Sequence, residues 1–146
     1  VHGIVPVLAH VERNQAIANN PNLLYDLIRR GALAQVDAAS VVAPNPRRRQ
    51  LAQMLLEHEL AHMVASNAHG VRTRRPCLRA AVEQLREWVG DRWTRALVLE
   101  TPAAILEGRE LPEPAPSRVP ARQGWWAIRR LLGGSAVFSP NPEGSE

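Results

Sequence analysis

Residues 4–10 read Ile-Val-Pro-Val-Leu-Ala-His, a short apolar run that ends on a polar side chain. Such a run predicts a buried strand, with His10 at its C-terminal end. Pro6 removes a backbone donor and so suits a sheet edge. Leu33 to Ala38 reads as a second strand and His62 to Ala65 as a third. Helical patterns lie between them. Asn20 can cap the first, Pro21 fits its first position and Gly31 can end it, with Leu23, Leu24, Leu27 and Ile28 on one face. Asn45-Pro46 repeats that start for a second helix, whose inner face carries Leu51, Met54, Leu55 and His58. Pro76 opens the next helix, with Leu78, Ala81, Val82, Leu85 and Val89 inward and Gly90 as a stop. Asp91 to Leu99 is helical in pattern too, and Thr101-Pro102 starts a last short helix that Gly108 ends.

Strands alternating with helices specify an α/β class with a parallel sheet. A parallel sheet needs both faces covered and its edges managed, and three strands do that poorly, so part of a larger barrel is expected. The first residue is Val1, inside the approach to a strand, which reads as the C-terminal part of a longer protein. From Arg109 the composition shifts, and Pro112, Pro114, Pro116 and Pro120 punctuate a polar, extended tail. The expected division is therefore a folded part over 1–108 and a tail over 109–146. Within that tail Trp125 to Leu132 forms a short amphipathic segment suited to docking on the folded part or to a membrane surface.

Hydrophobic residues make up 45% and charged residues 22% of the 146-residue chain, which bounds it to one domain with a core. Aromatics are only 4%, so that core is aliphatic. All 18 cations are Arg, whose planar fork holds phosphate well, although a GC-rich genome gives the same bias. Nucleic acid is a weak expectation, because no stacking aromatics are interleaved with the arginines. A single cysteine, Cys77, forbids an internal disulfide and points to a reducing, cytoplasmic compartment. No apolar run approaches the roughly 20 residues of a membrane span.

In parallel α/β folds chemistry gathers at the C-terminal ends of strands. His10 ends the first strand, Asp37 and Ser40 lie near the end of the second, and Asn67 and His69 follow the third. His10 and His69 suit a divalent metal, or are polar strand caps. Arg13 and Arg74 could clamp a phosphate, while Arg72 and Arg75 read better as a solvated basic loop. Cys77 does not fit a cysteine-nucleophile phosphatase: it lacks a Gly-rich loop, and Glu83 stands where the Arg would be. His58-Glu-Leu-Ala-His62 has the form of a zinc-protease motif, but it runs off a helix into a strand, so its two histidines should diverge.

Taken together, the ordered segments resemble the manganese-dependent tyrosine phosphatases of bacterial capsule operons, in the polymerase-and-histidinol-phosphatase (PHP) superfamily. Pro6 to Asn14 (PVLAHVERN) resembles their PVLAHPERN. Leu33 to Ser40 (LAQVDAAS) resembles LxQVxAxS, His62 to His69 (HMVASNAH) resembles HxxASDAH, and Thr101 to Leu106 resembles their late NPxxIL helix. The resemblance implies a distorted (β/α)7 PHP barrel, of which this chain holds roughly the last three units. It implies Mn2+ as cofactor, held by His10, His69 and the Asp position occupied here by Asn67, with Arg13 and Arg74 on the phosphate. The implied substrate is protein phosphotyrosine, on the tail of a bacterial tyrosine autokinase that governs exopolysaccharide export; a homo-oligomer is also compatible. Three departures stand out: the family's early His-x-His pair and further carboxylate ligands lie upstream of anything present here, Asn67 stands for Asp, and Val11 stands for Pro with Ala43-Pro-Asn-Pro46 for a Gly-containing loop. The alternative expectation is a PHP-like remnant that keeps the fold as an interaction module.

Overall fold

The computed structural model describes residues 3–70, 76, 78–111 and 114–120. Arg72, Arg74, Arg75 and Cys77, and the Trp125 to Leu132 segment, lie outside these described residues.

The sheet has three parallel strands in the order β1 (Val7–Leu8), β2 (Leu33–Asp37), β3 (Met63–Ala65). Register pairs Leu8 with Ala34, and Asp37 with Ala65. All five residues of β2 are buried, because only the middle strand has hydrogen-bonded neighbours on both sides. The expectation of a buried strand over residues 4–10 is corrected. Pairing covers only Val7 and Leu8, and Ile4, Val5 and Val7 are exposed at 80%, 57% and 47%. Pro6 is the reason: it has no N–H for the ladder, and its carbonyl accepts from Leu33 N–H (2.9 Å) just before pairing begins.

After β1 the chain tightens into a 3-10 turn, Val11–Arg13, and a short helix α1 (Gln15–Asn19). Asn14 caps α1 by accepting from the N–H groups of Ala16 and Ile17. Helix α2 (Asn22–Ile28) buries Leu24 and Ile28, whereas Leu23 and Leu27, expected inward, are 43% and 40% exposed. Those two flank the open side of β1, where the described residues place no covering element. Helix α3 (Ala38–Val41) is one turn long and capped by Asp37. Helix α4 (Pro46–Glu57) starts as the sequence indicates, with Asn45 accepting from Arg47 and Arg48 N–H. It buries Leu51, Ala52, Leu55 and Leu56, while Met54 and His58 are half-buried.

Helix α5 (Arg79–Arg95) breaks at Gly90 (φ 77°, ψ 168°), a conformation that only glycine adopts without strain. A π-helical turn, Ala96–Glu100, and α6 (Thr101–Glu107) follow, and Gly108 closes α6 in the left-handed region. The core is aliphatic, centred on Leu24, Val36, Leu55, Leu56, Leu60, Leu85 and Leu97. Residues 114–120 belong to no helix or strand but are tied down. Ser117 N–H reaches His58 O (3.0 Å), Val119 exchanges two hydrogen bonds with the Asn22 side chain, and Val119 itself is buried. Arg118 pairs with Asp26 and lies over the Tyr25 ring.

Candidate functional site

Because the three strands are parallel, their C-terminal ends share one edge of the sheet. His10 emerges there after β1, Asp37 at the end of β2, and Asn67 and His69 after β3. Two of these residues bend the backbone sharply. His10 (φ 55°) and Asn67 (φ 49°) are both left-handed, which is uncommon outside glycine and typical of sites that need a side chain re-aimed.

The His10 carbonyl accepts Arg13 N–H (2.8 Å), closing the 3-10 turn. Its imidazole Nδ1 is buried and has no hydrogen-bond partner among the described residues. A buried polar atom without a partner is costly, and a metal or a water is what such an atom accepts. His69 is exposed, and its Nδ1 sits 2.7 Å from the Asn67 carbonyl. A carbonyl can only accept, so Nδ1 carries a proton, and in the neutral ring Nε2 is the nitrogen with the lone pair. That is the arrangement by which backbone carbonyls orient metal-binding histidines. Both imidazoles therefore fit a divalent cation. Among the described residues no three His, Cys, Asp or Glu side chains converge as a ligand set.

Beside His10 lies a network that sequence reasoning did not find. Glu12 is 4% exposed; one carboxylate oxygen accepts the Ser40 hydroxyl (2.7 Å) and the other the Asp37 N–H (3.4 Å). Asp37 is 1% exposed, accepts Ala39 N–H through Oδ1 (3.1 Å) and is ion-paired to Arg13 through Oδ2. Arg13 Nε also lies 3.6 Å from Glu12. One guanidinium thus faces two buried acidic side chains. The strand-end placement of Asp37 and Ser40 was a usable signal. The burial of Glu12 carried none, because a lone Glu in sequence reads as surface.

The protease-like pattern comes apart in three dimensions. His58 follows the end of α4 and contacts Ser117 Oγ (2.9 Å), and Glu59 turns left-handed (φ 53°). His62 is buried, with Nδ1 accepting Ala34 N–H (3.1 Å). Burial lowers its pKa by penalising the charged form. It is a structural histidine of the β2–β3 pair.

Comparisons with known proteins identify relatives of this chain. YwqE, a tyrosine-protein phosphatase of Bacillus subtilis (strain 168), is 36% identical over 110 residues, 75% of this chain and 40% of that protein. CpsB, a tyrosine-protein phosphatase of Streptococcus pneumoniae, is 30% identical over 71% of this chain and 45% of its own length. A crystal structure from the work on these two proteins, described as unique metal-dependent tyrosine phosphatases, superposes with a TM-score of 0.76 at 33% identity. It covers 81% of this chain and 48% of that one. The chain thus spans less than half the length of the relatives it matches. No described helix is long and apolar enough to cross a membrane. The family described as "Capsular polysaccharide synthesis, CpsB/CapC" matches residues 1–107, and the chain belongs to that family.

Proposed function

We propose that this chain supplies one side of a metal-dependent phosphomonoesterase site that acts on protein phosphotyrosine and serves capsule or exopolysaccharide synthesis. The fold part, 1–108, is read as a portion of a PHP-type barrel, with 109–146 as a proline-rich tail. The observation that supports the reading is the shared C-terminal edge of the sheet: it carries His10, whose Nδ1 has no partner among the described residues, and the oriented His69, with Arg13 in the turn after His10. His10 and His69 would hold the cation, Mn2+ being the expected one, with Asn67 as a weak neutral donor. A divalent cation bound there supplies the charge that activates a water and offsets charge on the phosphoryl oxygens. Arg13 donates to those oxygens, and Arg74 is assigned the same work by resemblance alone. A tyrosine autokinase is the proposed phosphoprotein partner, in the cytoplasm.

The test is hydrolysis of p-nitrophenyl phosphate and of a phosphotyrosine peptide with and without Mn2+, beside His10→Ala and His69→Ala. Turnover that requires Mn2+ and falls in both variants is expected. Turnover that persists in EDTA, or that survives both substitutions, contradicts the reading. Asn67 favours a second reading, an interaction module that keeps the fold: an amide brings no charge to a hard cation. Under that reading Mn2+ binds no better to the wild-type chain than to His69→Ala.

A further inference from the structure

We propose that Asp37 is a positioning residue of this site, fixing the Arg13 guanidinium so that its free donors face a phosphoryl group. The inference rests on the reading of Arg13 given under Proposed function. The two ion pairs of Arg13, with Asp37 and with Glu12, differ from the surface ion pairs among the described residues. Side-chain exposures are 29% for Arg13 and 2% for Asp37. In Arg86–Asp91 they are 59% and 86%, and in Arg118–Asp26 60% and 50%. The surface pairs are free to rearrange in water. Asp37 is not: it ends the central strand, and Oδ1 is already committed to Ala39 N–H. Its backbone N–H is tied to Glu12, which is tied in turn to Ser40.

The guanidinium is therefore held at two places. Nη2 donates to Asp37 Oδ2, and Nε faces Glu12 at 3.6 Å. A guanidinium has five N–H donors, so this grip leaves the Nη1 edge without a partner among the described residues. With the head group partly exposed, that edge is open to a ligand. An anchored fork loses little further freedom when it binds, so its affinity for a phosphoryl group exceeds that of a loose one. A carboxylate rooted in a rigid central strand is the support such a fork needs.

The experiment is guanidinium 15N NMR on the full chain, wild type against Asp37→Asn, with inorganic phosphate as the probe and Arg13→Ala to assign the signal. Asn keeps an acceptor for Ala39 N–H but carries no charge for Arg13. In the wild type the Arg13 Nε–H signal should resist solvent exchange and shift on adding phosphate. In Asp37→Asn it should exchange like the surface arginines, and phosphate affinity should fall by about tenfold. Should that variant fail to fold, Asp37→Glu, which moves the carboxylate outward by one methylene, reads the same two quantities. An Arg13 signal unchanged by the substitution overturns the proposal. So does an equal or tighter phosphate affinity, which would make Asp37 a competitor of the ligand. A wild-type chain in which phosphate moves no Arg13 signal overturns the phosphate reading of Arg13 and this proposal with it. That failure is recognisable because the signal still responds to Asp37→Asn.

Discussion

Replacing His62 probes both a buried hydrogen bond and a titrating group. Ala34 is 0% exposed and its N–H donates to His62 Nδ1, so His62→Ala leaves a buried donor without its acceptor. That loss costs about 1–3 kcal/mol at neutral pH, toward the low end if water enters the space vacated. His62→Asn places an amide oxygen near the former Nδ1 position and should recover most of it. The pH dependence follows from the lowered pKa of His62. The unfolded histidine takes up a proton near pH 6.5, while the folded one stays neutral to lower pH. The unfolded state then binds more protons, so the stabilisation present above about pH 6.5 is lost as pH falls toward the folded pKa. The slope of this contribution is at most about 1.4 kcal/mol per pH unit. Urea unfolding followed by tryptophan fluorescence, at pH 7.5 and 5.5, measures it. The stability gap between wild type and His62→Ala should be largest at pH 7.5 and shrink at pH 5.5, and His62→Asn should be flatter with pH than the wild type. A gap that does not change with pH, or an alanine variant as stable as the wild type at pH 7.5, refutes the reasoning.

Three further outcomes follow from the packing. Asn45→Ala removes the acceptor for Arg47 and Arg48 N–H at the start of α4; thermal unfolding should show a loss of about 1 kcal/mol. Gly90→Ala puts a Cβ on a residue at φ 77°, ψ 168°; a loss of about 1–3 kcal/mol is expected in the same assay, and a neutral result would mean that α5 is not broken there in solution. Val119→Ala removes a buried side-chain anchor of residues 114–120. It should cost about 1.5 kcal/mol and speed hydrogen exchange at Ser117 and Val119, whose N–H groups bond to His58 and Asn22.

The elements legible in the sequence are those whose signals are local. Asn45-Pro46 announces α4 because cap and proline act within one turn, and Gly108 marks the stop of α6 by a backbone angle that glycine tolerates cheaply. Helices α1 and α3, five and four residues long, were missed because they are too short to show a period. Their caps are Asn14 and Asp37. Leu23 and Leu27 were expected inward from helical spacing, yet their exposure depends on what lies beyond β1, which no local pattern records. At the site, the strand-end rule brought His10, Asp37, Asn67 and His69 to one edge. The Glu12–Ser40–Asp37–Arg13 network was not legible, since it depends on the parallel register of β1 and β2 and joins residues 24–28 positions apart. The docking of Val119 on Asn22, 97 positions away, is beyond any composition argument that sees only a proline-rich stretch.

The central claim is that the C-terminal edge of the sheet presents His10 and His69 to a divalent cation. Mn2+ binding to this chain, followed by electron paramagnetic resonance for the wild type, His10→Ala and His69→Ala, tests it most directly. The account predicts saturable binding that weakens by roughly tenfold or more in each variant, as expected when a metal loses an imidazole donor. Binding of equal strength in all three chains would contradict it.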